Sequence, residues 1–374
     1  DKTDADYLNY MAKYEKNAKE ALDHLNWKAG EGSNLFDDID VQLDWANKGN
    51  NNTDGSANLT ATTSRIKDMV LAYVSEGCKY YHDEELKKAI DLSIDYLFNG
   101  FPNVLNFHDR VFANWWDWAI GVPKDLSAVE VLMHDELDED TLARLHNMIM
   151  LLSPDVDYYW GRNSTGRGTR YPATGANGSE MAMITLLNGM AVGDTVSMFK
   201  ATDTMVNELK YVTSGEGFYP DGSFKQHGNF AYNGTYGVEK LRAVTEISVL
   251  TSNTPWACAD ANPDIIYEWI LNAYRPLYAD GGIFDMVQGR SVSRYNRSNI
   301  TTGRYAMDAI IRLIDGAPEK YRDELFSFAK TQAVLGVAYD PTSYYNGMKS
   351  ISSLVKVKNI VADESIPLDT ELYT

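Results

Sequence analysis

His227 and Tyr236 lie in one run, Gly217-Phe218-Tyr219-Pro220-Asp221-Gly222-Ser223-Phe224-Lys225-Gln226-His227-Gly228-Asn229-Phe230-Ala231-Tyr232-Asn233-Gly234-Thr235-Tyr236-Gly237. The run is aromatic, glycine-rich and poor in charge, which does not suit a solvated linker. It suits the wall of a site for a ring-shaped ligand, with His227 and Tyr236 as proton-handling groups. Three further constellations accompany it. Asn114-Trp115-Trp116-Asp117-Trp118-Ala119-Ile120-Gly121 holds three tryptophans that cannot all face one core from a helix. At least one exposed indole is expected, and such a face stacks on the apolar face of a sugar. Tyr171-Pro172-Ala173-Thr174-Gly175-Ala176-Asn177 follows Arg162, Arg167 and Arg170, which gather positive charge on an acidic chain. Gly289-Arg290-Ser291-Val292-Ser293-Arg294 places two arginines four apart, able to share a helical face or flank one ligand.

Each has a structural alternative: indole packing at a helix start, an N-cap role for Asn177, a satisfied histidine, and surface ion pairs for the arginines. One reaction class uses all the parts. Removing the weakly acidic proton next to a uronate carboxylate requires that carboxylate to be neutralised. An amide such as Asn177 does this without adding negative charge. A tyrosine serves as base where cations such as Arg290 and Arg294 bring its phenol below the reference of about 10, and it can then protonate the leaving oxygen.

The elements that must position these groups are helical. Apolar residues recur every three or four positions in Asp83–Asn99 (Leu86, Ile90, Ile94, Leu97) and in Thr141–Leu152 (Leu142, Leu145, Ile149, Leu152). Further helices are predicted over 5–27, 62–79, 127–134, 177–192, 195–212, 238–252, 263–274, 300–315 and 318–336. Leu354–Val361 is the best strand candidate. Long loops at 100–114, 153–176, 214–237 and 276–298 interrupt the helices, and long loops inside a domain are usually functional. The polar run Lys48–Gly55 reads as one more flexible loop. The spacing suggests an all-α fold, an α/α toroid of helical hairpins with long loops lining a cleft, and a single domain over residues 1–374.

The chain has 374 residues, 44% of them hydrophobic, so a sizeable core is available. A net charge of -19 argues against nucleic acid or an anionic membrane as partner. Cys78 and Cys258 cannot build a disulfide framework or a zinc site, and no apolar run reaches transmembrane length. The 24 tyrosines, twice the 12 phenylalanines, suit a carbohydrate-handling surface as well as a core-and-rim role.

Taken together the four segments resemble polysaccharide lyase family 8, the hyaluronate, chondroitin AC and xanthan lyases, from about residue 60 to the end. The resemblance implies an incomplete α/α toroid and a metal-independent elimination without a cofactor on an acidic, hyaluronan- or chondroitin-like polysaccharide. By it, Asn177 and His227 engage the uronate carboxylate, Tyr236 transfers the proton and Arg290 assists. Arg294 contacts the chain, and Trp115, Trp116 and Tyr171 position the sugar. It also implies a secreted or periplasmic setting and β-sandwich domains after this α-domain. These would bring a glutamate- and asparagine-containing motif that the context of Glu371 does not match. Two other readings stand beside it: a non-catalytic acidic-glycan-binding module, and an α/α-barrel glycoside hydrolase using Asp117 and Asp221.

Overall fold

The computed structural model describes residues 2–30, 32–41, 54–99, 114–162, 168–258, 262, 264–294, 298–337 and 350–371. Part of the run 48–55, most of the loop 100–114 and Arg167 lie outside these residues, as does the side chain of Arg162. The chain divides into two compact units: residues 1–173 with 184–201, and residues 174–183 with 202–374.

The first unit is built on α1 (Ala5–His24), α2 (Asp54–Val74), α3 (Glu84–Asn99), α4 (Val122–Leu132) and α5 (Glu139–Leu152). Asp4 caps α1 by accepting from the Asp6 and Tyr7 amides, and Asp138 caps α5 by accepting from Thr141. α2 packs against α1, α3 and α4. In α3 the predicted stripe is buried as expected, while in α5 Leu142 is half-exposed and Met148 joins the buried face. α2 begins at Asp54, not at residue 62, because Ser56 and Thr60 hydrogen-bond Asp117 and draw the polar first turns into the helix. Deeper in the unit, Glu130 on α4 is wholly buried, and neither carboxylate oxygen has a hydrogen-bond partner among the described residues. His146 Nδ1 lies 3.7 Å from Glu130 Oε1 and 3.0 Å from Asn188 Oδ1. A hairpin pairs β1 (Tyr158–Arg162) with β2 (Gly168–Pro172), Tyr159 opposite Tyr171.

α6 (Gly175–Val192) and α7 (Thr195–Glu208) pass from one unit to the other along their length. The second unit continues with a small antiparallel sheet of β3 (Gly217–Phe218), β4 (Phe224–Gln226) and β5 (Phe230–Ala231). Then come α8 (Val238–Thr251), α9 (Ile265–Trp269), the ribbon β6 (Tyr278–Ala279) with β7 (Gly282–Ile283), α10 (Asn299–Leu313), α11 (Glu319–Val337) and α12 (Ile351–Ala362). The core here gathers Phe218, Phe224, Trp269 and Tyr274, whose rings stack or meet edge-on.

α12 corrects the sequence reading of a strand at 354–361. Ser350 caps it by accepting from the Ser353 amide, and Ser353, Leu354, Val357 and Ile360 are buried at helical spacing. The alternation of valine and lysine mimics a strand, and packing on α10 and α11 overrides it.

Candidate active site

The site is built by a tight turn, a wide turn and a short sheet. Gly222, at φ +81, makes the turn between β3 and β4, and a side chain there would meet the Asn272 carbonyl at 2.5 Å. Asn233 locks this turn to the next segment: its Oδ1 accepts from the Phe224 amide at 3.0 Å and its Nδ2 donates to the Gly222 carbonyl at 2.8 Å. Residues Asn233–Gly237 then form a π-helical turn that carries Tyr236 into α8. Such turns are often found at functional sites.

His227 sits at the end of β4 with φ +54, a left-handed backbone that a residue with a side chain adopts at a cost. Its Nε2 lies 3.0 Å from the Tyr236 hydroxyl. The Arg290 guanidinium donates to the same hydroxyl at 2.9 Å and lies 3.4 Å from Nε2. The Arg290 contact calls for a bare lone pair on Nε2, and the Tyr236 hydroxyl can serve either way, so the neutral tautomer with its hydrogen on Nδ1 is assigned. Burial lowers the imidazole pKa, the Arg290 charge lowers it further, and Glu216 opposes both. The residue as a whole is exposed, but its ring meets the Tyr232 and Tyr236 rings edge-on, which accounts for that desolvation.

Arg290 is held from behind. Its amide donates to the Tyr232 hydroxyl at 3.2 Å, and Tyr232 is 1% exposed. Gly289 (φ +53) allows this approach, because a Cβ there would fall 2.1 Å from the Tyr232 ring. Arg290 lies in a 3-10 turn, Gly289–Ser293. At three residues per turn, Arg290 and Arg294 do not share a face. Arg294 is extended and exposed at the end of the turn, and Arg290 alone of the two reaches Tyr236.

Asn177 is 6% exposed, in the first turn of α6 and two residues past its start, so it is not the N-cap. Gly175 (φ +60) lets the chain enter the helix against Gln226, whose Oε1 accepts from the Ala176 amide at 3.1 Å. The backbone next to Asn177 is thus bound to the residue next to His227.

The first unit carries the aromatic set. Trp118 is buried at 3%, whereas Trp115 and Trp116 are half-buried, so none of the three presents a fully open indole. Trp115 stacks on Tyr159 at 3.7 Å, and Tyr159 on Tyr171 at 5.7 Å. Gly161 makes room for the Tyr171 ring, which a Cβ would meet at 2.9 Å. Tyr159 was not singled out by sequence, since a tyrosine in a hairpin carries no spacing signal. Arg170 is ion-paired with Asp155 at 2.8 Å and lies over the Tyr158 ring, which offsets the local positive charge expected there.

Both carboxylates considered for hydrolysis have local duties. Asp117 is buried and accepts from the Ser56 and Thr60 hydroxyls at 2.8 and 3.0 Å, and burial raises its pKa. Asp221 accepts from the Ser223 hydroxyl and amide, bonds that hold its pKa down.

Residues 1–331 match the family described as polysaccharide lyase family 8, N terminal alpha-helical domain. The match begins well before residue 60. Among curated relatives, xanthan lyase of Bacillus sp. (strain GL1) is 29% identical over 345 residues, covering 90% of this chain and 34% of that protein. Hyaluronate lyase of Thermasporomyces composti is 29% identical over 264 residues, 70% of this chain and 32% of that protein. The chain therefore spans about a third of the length of these relatives. The solved structure of Streptomyces coelicolor A3 chondroitin AC lyase with chondroitin sulphate superposes with a TM-score of 0.81 at 23% identity. It covers 99% of this chain and 47% of that one. The fold is thereby the all-α, α/α-toroid type expected from the loop and helix spacing.

Proposed function

Because this chain belongs to polysaccharide lyase family 8, we propose that it carries the catalytic residues of a lyase that cleaves a uronic-acid polysaccharide, hyaluronan- or chondroitin-like, by β-elimination. The observation that carries the reading is the contact of Tyr236 with both His227 and Arg290, at 3.0 and 2.9 Å. The Arg290 guanidinium donates to the very oxygen that would handle the proton, and so orients it. The phenolate takes the C5 proton of the uronate, the electron pair forms the C4–C5 double bond, and the C4–O4 bond breaks. The phenol then returns the proton to the departing O4, so the residue ends as it began.

Asn177 and His227 donate to the uronate carboxylate, which gathers charge as C5 loses its proton. The neutral His227 tautomer supports this, since its Nδ1 hydrogen is a donor that adds no competing proton near the base. Trp115, Trp116 and Tyr171 are assigned to stacking on sugar rings and Arg294 to the anionic polymer. A polymer of this size implies work outside the cytoplasm, secreted or periplasmic. No helix among the described residues is long and apolar enough to cross a membrane.

The test is incubation of the 374-residue chain with hyaluronan, chondroitin and xanthan, followed by ultraviolet absorbance of unsaturated uronides. Absorbing product that disappears in Tyr236→Phe supports the reading. Binding without product from any of them refutes it in favour of a glycan-binding module. New reducing ends without the double bond refute it in favour of hydrolysis.

A further inference from the structure

We propose that Glu216 is a positioning residue: its carboxylate ties the segment leading into Asn177 to the backbone of His227. The inference rests on the reading that Asn177 and His227 together hold a substrate carboxylate, and it adds the device that fixes their separation.

Glu216 immediately precedes β3. Its Oε1 accepts from the His227 amide at 2.9 Å, and its Oε2 accepts from the Thr174 hydroxyl at 2.7 Å. Hydrogen bonds to a carboxylate are among the stronger ones in proteins. One lands three residues before Asn177 and the other on His227 itself. Gln226 makes a second tie between the same two segments through the Ala176 amide, at 3.1 Å. Gly175 is enclosed by both, because a Cβ there would meet Gln226 Oε1 at 2.7 Å and Glu216 Cβ at 3.4 Å.

The tie explains how His227 keeps its backbone at φ +54, followed by Gly228 at φ +91. A left-handed residue persists where its surroundings over-determine it, and an anchored amide supplies such a constraint. Without Glu216 the peptide is free to relax, and the imidazole moves with it.

The charge has a separate consequence. Among the described residues, Arg290 and Glu216 are the charged groups that act on the ring, and the Tyr232 and Tyr236 rings pack against it. The neighbouring Lys225 turns away and lies over the Tyr219 ring. Arg290 disfavours the imidazolium and Glu216 favours it. Removing the Glu216 charge must therefore move the imidazole titration to lower pH.

Glu216→Gln and Glu216→Ala separate the two effects. Glutamine keeps an acceptor for the His227 amide and a polar group for Thr174, but not the charge. The titration of His227 is followed by NMR on the substrate-free chain, its signal assigned by its loss in His227→Asn. Steady-state kinetics on a uronate polymer follow. Both variants should lower the midpoint. Glutamine should retain kcat within about threefold, while alanine should lower it tenfold or more. An unmoved midpoint in both variants overturns the electrostatic half. Equal kinetic losses in the two overturn the tie. A chain with no turnover at all counts against the lyase reading, and the titration then decides on Glu216 by itself.

Discussion

Replacing Glu130 with glutamine should make the first unit more stable, by an amount that grows with pH. Glu130 is wholly buried on α4, neither oxygen is hydrogen-bonded among the described residues, and burial pushes its pKa from 4.5 to about 8. An acid whose folded-state pKa lies above its unfolded value binds more protons when folded. Stability is therefore fully present below about pH 4.5, declines as pH rises through the window up to about 8, and levels off beyond it. At 1.36 kcal/mol per unit, the whole displacement has a ceiling of about 5 kcal/mol, of which about 2.5 falls between pH 5 and pH 7. His146, at 3.7 Å, trims the figure if it carries charge while Glu130 ionises. Glutamine has nearly the same shape and never ionises. Thermal unfolding of both proteins at pH 5, 6, 7 and 8 tests this. The melting temperatures should nearly coincide at pH 5 and differ by roughly 5 °C or more at pH 7 to 8, the variant being higher. Parallel pH profiles would refute the assignment of a neutral buried acid, and would place the missing hydrogen-bond partner in solvent.

Other expectations concern the candidate site. Tyr236→Phe should reduce kcat by at least about a thousandfold, while equilibrium binding of a polymer fragment changes by less than about threefold. Gly289→Ala should cost about 2–4 kcal/mol in urea unfolding and largely abolish turnover, since the new methyl would overlap the Tyr232 ring that anchors the Arg290 amide. The acid limb of kcat/KM should fall by one proton at a pH below the ordinary imidazole value, because activity needs neutral His227 and its pKa is lowered. A limb at or above that value in a pH–rate profile would contradict the lowered imidazole pKa.

The helices were legible because their apolar spacing survives in the buried faces of α3, α5 and α10. The run from Gly217 to Gly237 was legible as a candidate site because glycine, asparagine and aromatic residues crowd there, and His227 and Tyr236 do meet. α12 was misread because valines alternate with lysines, a local pattern that helix packing defeats. The start of α2 was missed because its Ser and Thr residues favour helix only when Asp117 accepts from Ser56 and Thr60, some sixty positions away. Glu216 and Gln226 gave no signal either. Each acts on a backbone amide of another segment, and no local spacing rule describes such a contact. The antiparallel pairing of β1 and β2 was hidden in a loop reading, and with it the stack of Trp115, Tyr159 and Tyr171.

The wide turn at Asn233–Gly237 holds one residue more than an α-helical turn would, and this separates two design problems. α8 must rotate so that Leu241, Val244 and Ile247 meet the core. The phenol of Tyr236 must aim elsewhere, and an uninterrupted helix would lock the two directions together. Shortening this turn by a single residue should therefore swing the phenol about 100° around the axis and leave α8 seated where it was. Insertions in the outer loops should be far less damaging than that one deletion.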